Sequence, residues 1–219
     1  MFGLFQPGPL DSSVLRAALA AGSALGLTCF AIPRLAAWAR AKDFGDREGK
    51  THSDTLNELH SHKQRTPIVG GIAILAATLL ASLSFADLRL GNVWLLLVGM
   101  LGLGALGFAD DLAKTFGKKR TEGLTPKQKL AVQILFGAGA GGFLLWQAWA
   151  GGGAEGLAAQ SSLAIPFVGG SVAIGAILYL VFATFVVTGS SNAVNLTDGL
   201  DGLAGGCGLV AFTVYTAIA

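Results

Sequence analysis

Hydrocarbon side chains fill six long runs of this sequence, near residues 14–33, 67–86, 92–109, 130–149, 170–189 and 203–219, with polar segments between them. A helix needs about 20 apolar residues to cross a hydrocarbon core, with a range of roughly 17–25. Each run meets that length, the last one barely, so the pattern predicts about six membrane-spanning helices. Pro33 and Pro67 stand at run boundaries, where proline costs a helix least. Trp38, Trp94, Trp146 and Trp149 lie at or near run ends, as an aromatic belt at the membrane interface predicts. The expected fold class is all-α: a polytopic membrane helix bundle, with residues 1–219 forming a single integral-membrane domain.

The apolar pattern breaks most sharply at residues 192–202. Asn192, Asn195, Asp198 and Asp201 recur at every third position with apolar residues between them, and Thr197, Gly199 and Gly202 add a hydroxyl and two flexible backbone sites. Polar groups are costly at a membrane boundary unless something binds them. One helix cap would use one such residue; four exceed that need, so the segment points to a cation and a polar substrate. The amide oxygen of Asn195 and the carboxylate of Asp198 suit a hard cation such as Mg²⁺, which prefers oxygen ligands and keeps several waters.

Composition strengthens the membrane assignment. Hydrophobic residues make up 53% of the 219 and charged residues only 13%, against roughly 25% charged in soluble domains. The net charge of +2 hides a segregation: thirteen of the fifteen Lys and Arg residues fall within 34–65 and 114–129. Clusters between hydrophobic spans orient loops, so no nucleic-acid partner is expected. By the positive-inside rule both basic loops belong in the cytoplasm. The nearly neutral connection at 87–91 and the Gly-rich stretch at 151–166 belong outside. The polar segment at 192–202 then falls at the cytoplasmic end of the fifth span. Cys29 and Cys207 lie in apolar runs and read as small core residues rather than a disulfide pair. Residues 1–15 carry only Asp11 as a charge, so the first run reads as a retained helix, not a cleaved signal.

Two further polar groups share the cytoplasmic side. Asp110 and Asp111 directly follow the third run, where adjacent carboxylates oppose the helix macrodipole unless a cation offsets them. On a continuing helix Lys114 could pair with either, and Lys129 shares a face with Gln133 at the start of the fourth run. Solvated loop charge is the plain alternative. Lys63 and Arg65 precede Thr66, Pro67, Ile68, Val69, Gly70 and Gly71, where the cations could attract a phosphorylated substrate and the glycines admit close backbone approach. Membrane anchoring followed by a helix start at Pro67 explains that segment equally well. His52, His60 and His62 lack accompanying cysteines or a helical metal spacing, and a solvated loop is expected there.

Taken in order, these segments resemble the polyprenyl-phosphate N-acetylhexosamine-1-phosphate transferases. The resemblance rests on Lys63 with residues 66–71, on Gly107 through Lys114, on Gly123-Leu124-Thr125 through Lys129 and Gln133, and on residues 192–202. Leu196, Thr197, Asp198, Gly199, Leu200 and Asp201 are similar to the branch that handles muramoyl substrates. The resemblance implies an Mg²⁺-dependent enzyme of the bacterial cytoplasmic (inner) membrane with its active-site loops in the cytoplasm. It would exchange a phosphosugar between UDP-N-acetylmuramoyl-pentapeptide and undecaprenyl phosphate, releasing UMP. It also implies roles: Asp110 and Asp111 toward the lipid phosphate, and Lys114 and Lys129 balancing the diphosphate. Asn195 would hold the metal, while Lys63, Thr66, Asn192, Asp198, Gly199, Leu200 and Asp201 would bind substrate. A homodimer is left open.

Two departures qualify the resemblance. Ile68 replaces a hydroxyl residue common in the family, which removes one expected contact. The family also has ten membrane helices where this sequence supplies about six, and later segments with a metal-binding aspartate and a His-rich loop are missing, so a C-terminally truncated protein is expected. Rival readings are a UDP-N-acetylhexosamine transferase serving another envelope polymer, and a transporter or scaffold. A transporter would place polar groups near the bilayer midplane, whereas here they gather at cytoplasmic ends.

Overall fold

The computed structural model describes residues 13–42, 70–116, 123–165, 170–198 and 202–218. The described residues are helical nearly throughout: α1 (Ser13–Ala41), α2 (Gly70–Phe85), α3 (Gly91–Phe116), α4 (Pro126–Gln160), a strand pair β1 (Ser162–Ile165) and β2 (Gly170–Ala173), α5 (Ala176–Thr197) and α6 (Leu203–Ile218). The fold is all-α with one small hairpin. By length and composition α1, α3, α4 and α5 can cross a membrane, while α2 and α6 are shorter apolar helices. At 16 residues each, those two reach roughly 24 Å at 1.5 Å per residue. Both abut residues outside the described set.

Several helix ends differ from the hydrophobic pattern. Helix α1 runs through Pro33 to Ala41 instead of ending at the proline. Proline removes one helical donor; immediately after it, the Arg34 guanidinium donates to the Phe30 carbonyl at 2.9 Å and stacks 3.5 Å from the Phe30 ring centre. Helix α3 continues past both aspartates to Phe116, because nothing between Phe108 and Phe116 breaks a helix. The expected outer loop at 151–166 is largely helix: α4 continues to Gln160 across a break at Gly153, whose φ of 57° suits glycine. The antiparallel hairpin, with Ser162 opposite Ala173 and Ile165 opposite Gly170, occupies the expected start of the fifth span. Helix α5 therefore begins only after Gly175, at φ 78°. Both cysteines are free and exposed on helix surfaces, contrary to the expected core placement.

The chain divides into two compact units, residues 1–125 and 126–219. In the first, α1 packs along α2, and α2 meets α3. Ala73, Ala77 and Ala81 form a buried stripe at four-residue spacing along α2. Near one end of the pair, Arg16 donates through Nε and Nη2 to the Phe85 carbonyl at 2.9 and 2.7 Å. That satisfies an orphan acceptor at the C-terminus of α2 and places a cation at the negative end of its dipole.

In the second unit α4 and α5 pack extensively in antiparallel fashion. Gly137 and Gly141 let the two backbones approach: a Cβ at Gly137 would sit 2.8 Å from Thr184 Cα, and one at Gly141 would sit 3.1 Å from the Ala183 Cβ. Among the described residues no large side chain is fully buried. Alanine and glycine seams carry the packing while leucine, valine and phenylalanine face outward. Helices in lipid associate this way, since burying leucine away from hydrocarbon gains little.

Candidate functional site

The first unit carries the paired carboxylates. Asp110 is 5% exposed, and its Oδ1 accepts the Leu124 backbone N–H at 2.8 Å. A buried carboxylate requires such partners. Leu124 precedes Thr125 and Pro126, the position before α4 and its first residue, where proline costs no helical hydrogen bond. Asp110 thus pins the segment leading into α4. Asp111 is half-buried on the same helix, and the backbone of Lys114 follows one turn beyond Asp110. The acids lie within the last two turns of α3, not in a loop after it, so the macrodipole still opposes their charge and favours a cation beside them.

The second unit carries an amide network. Gln133 on α4 is 4% exposed. Its Nε2 donates to Ser191 Oγ at 3.1 Å and to Asn192 Oδ1 at 3.4 Å. In return Asn192 Nδ2 donates to Gln133 Oε1 and to the Thr188 carbonyl, both at 2.9 Å. Both protons of the Asn192 amide are therefore committed within the protein. At the far end of the same helix pair Gln160 Nε2 donates to the Tyr179 hydroxyl at 2.7 Å.

Beyond the amide network α5 ends in a polar turn. Asn195 and Asp198 are exposed, and Thr197 Oγ1 donates to the Val194 carbonyl at 2.8 Å. Asp198 is the C-cap residue of α5, its N–H bonding the Val194 carbonyl, rather than the N-cap of the next helix. The Gly202 carbonyl accepts the first bond of α6 from Gly206 at 2.8 Å, with Gly202 at φ 80°. An amide oxygen and a carboxylate three residues apart, at the negative end of a helix, suit Mg²⁺, which takes one or two protein oxygens and fills its shell with water and phosphate. No group of three or more His, Cys, Asp or Glu side chains that could hold a metal occurs among the described residues.

Of the candidate residues from the sequence, the structure brings Asn192 onto Gln133 and sets Asn195, Asp198 and half-buried Lys129 at the polar end of the α4–α5 pair. Asp110 and Asp111 belong to the other unit. Lys63, Thr66, Gly199, Leu200 and Asp201, with His52, His60 and His62, lie outside the described residues. The sequence pattern did not single out the Leu124 amide, Ser191 or Thr188. Gln133 stands out in the sequence for sharing a face with Lys129 and within the family resemblance; its position four and eight residues before Gly137 and Gly141 marks it as the polar end of a helix-packing stripe.

Residues 93–219 match the model of glycosyl transferase family 4, and the chain belongs to that family. Over 180 residues it is 37% identical to a phospho-N-acetylmuramoyl-pentapeptide-transferase of Campylobacter curvus, covering 81% of this chain and 47% of that protein. It is 42% identical over 147 residues to the enzyme of the same name from Geobacter sp. strain M21, covering 67% of this chain and 38% of the relative. A third relative of that name, from Maridesulfovibrio salexigens, is 39% identical over 167 residues, 76% of this chain and 44% of its own length. The chain spans less than half the length of these relatives.

Proposed function

We propose that the protein transfers phospho-N-acetylmuramoyl-pentapeptide from its UDP derivative to undecaprenyl phosphate, releasing UMP and forming the first lipid-linked peptidoglycan intermediate. The observation that carries this is the 37–42% identity to relatives bearing that enzyme's name, in a chain where Asn192, Asn195 and Asp198 end an apolar helix. The net exchange forms a bond from a lipid phosphate oxygen to the sugar-bearing phosphorus. It breaks the bond from that phosphorus to the oxygen that leaves with UMP.

Such transfer depends chiefly on positioning and charge stabilisation. Asp111 orients or deprotonates the lipid phosphate. Asp110 supports it by holding the 123–125 segment through the Leu124 amide. Lys114 and Lys129 offset the diphosphate charge. Asn195 and Asp198 would hold Mg²⁺, which would supply charge neutralisation at the transferring phosphoryl group. Lys63, Thr66, Gly199, Leu200 and Asp201 bind the nucleoside side. The basic loops assign this chemistry to the cytoplasmic face of the bacterial inner membrane.

The test is UMP release by purified protein given undecaprenyl phosphate and, separately, UDP-N-acetylmuramoyl-pentapeptide or UDP-N-acetylglucosamine. Release with the muramoyl donor, stopped by EDTA and restored by Mg²⁺, is expected. Preference for UDP-N-acetylglucosamine overturns the assignment.

A further inference from the structure

The α4–α5 contacts define a register. Gly141 lies against Leu180 and Ala183, Gly137 lies against Thr184, and Gln133 meets Ser191 and Asn192. Each turn toward the start of α4 thus matches one turn toward the end of α5. One turn further on, Lys129 comes level with Asn195. The last cross-helix bonds before that level are the reciprocal Gln133 and Asn192 amides.

We infer that Gln133 and Asn192 are a pair of positioning residues: their mutual hydrogen bonds lock the α4–α5 register that sets Lys129 level with Asn195. Neither touches substrate. Glycines allow the helices to approach but tolerate sliding, because a smooth seam has no preferred stop. Paired amides impose one, since a slip of a single turn breaks the reciprocal Gln133 and Asn192 bonds together. The second Asn192 proton, given to the Thr188 carbonyl, fixes the amide's orientation.

The catalytic part of the test rests on the proposed transferase reaction; the stability part does not. Gln133→Ala and Asn192→Ala should each lower kcat on the order of ten- to a hundredfold, as small misplacements do, with KM for the UDP donor unchanged. The double variant should be no worse than the weaker single. Exchanging the two side chains (Gln133→Asn with Asn192→Gln) keeps both amides and their combined length and should restore most activity. In detergent the Tm losses should follow the same pattern: each single lowers Tm, and the double lowers it no further. A KM rise confined to Asn192→Ala would mean that Asn192 contacts the donor, and multiplying kcat losses or adding Tm losses would show no coupling; either overturns the pair. Absence of UMP release from the unsubstituted protein would sink the proposed reaction instead, and the Tm comparison would still decide the pair.

Discussion

At the scale of single residues, the carboxylates of α3 separate into two kinds. Asp110 is buried with one oxygen on the Leu124 amide, whereas Asp111 is half-exposed. Asp110→Asn keeps an acceptor for Leu124 and removes only charge; Asp110→Ala strands that amide, costing about 1–3 kcal/mol. Thermal unfolding in detergent should therefore rank Asp110→Ala clearly below Asp110→Asn. Equal losses would remove the Leu124 contact from the account. For Asp111→Asn, turnover should vanish while membrane insertion and Tm hold, and an active variant would exclude Asp111 from the chemistry. Sequence spacing marked these acids and the asparagines of residues 192–202 as meaningful, but not where each side chain turns. The Asn192 amide faces a glutamine 59 positions away in the chain, and no local pattern reveals such a pairing.

At the scale of elements, hydrophobic runs located every helix among the described residues but misjudged several ends. Proline at position 33 suggested a stop, yet one missing donor does not by itself end a helix whose flanking residues stay helical. Glycines at 151–153 suggested a loop, yet only Gly153 leaves helical geometry. Close packing depends on which glycine faces a backbone. Gly137→Ala meets Thr184 Cα, which cannot move without shifting α5, and should destabilise by about 1–3 kcal/mol. Gly104→Ala meets only the Leu75 side chain, whose Cδ1 and Cδ2 at 2.6 and 3.1 Å are its flexible end. It should be neutral or mildly stabilising, since alanine is the better helix former by about 1 kcal/mol. Matched melting curves settle this, and a Gly104→Ala loss as large as that of Gly137→Ala would refute the contrast.

At the scale of the whole molecule, the segregation of lysine and arginine predicts sidedness. Lys127 sits in the first turn of α4 and Ser171 in β2, at opposite ends of the α4–α5 pair. In spheroplasts of a variant lacking Cys29 and Cys207, Ser171→Cys should react with a membrane-impermeant maleimide directly. Lys127→Cys should react only after permeabilisation, and the reverse pattern would invert the topology. Charge alone suggested that arrangement because loop orientation follows countable residues. Which side chains pair across helices was much less legible, since it depends on contacts between distant segments.

The α4–α5 pair also bears on how the chain is made. Its glycine seam, its amide bonds at one end, the Gln160–Tyr179 bond at the other and the hairpin between them all join neighbouring stretches of sequence. The two helices are consecutive in the chain, so their packing needs no segment made later. During synthesis the two helices can lock together as soon as Thr197 has entered the bilayer, giving later segments a finished surface to assemble against.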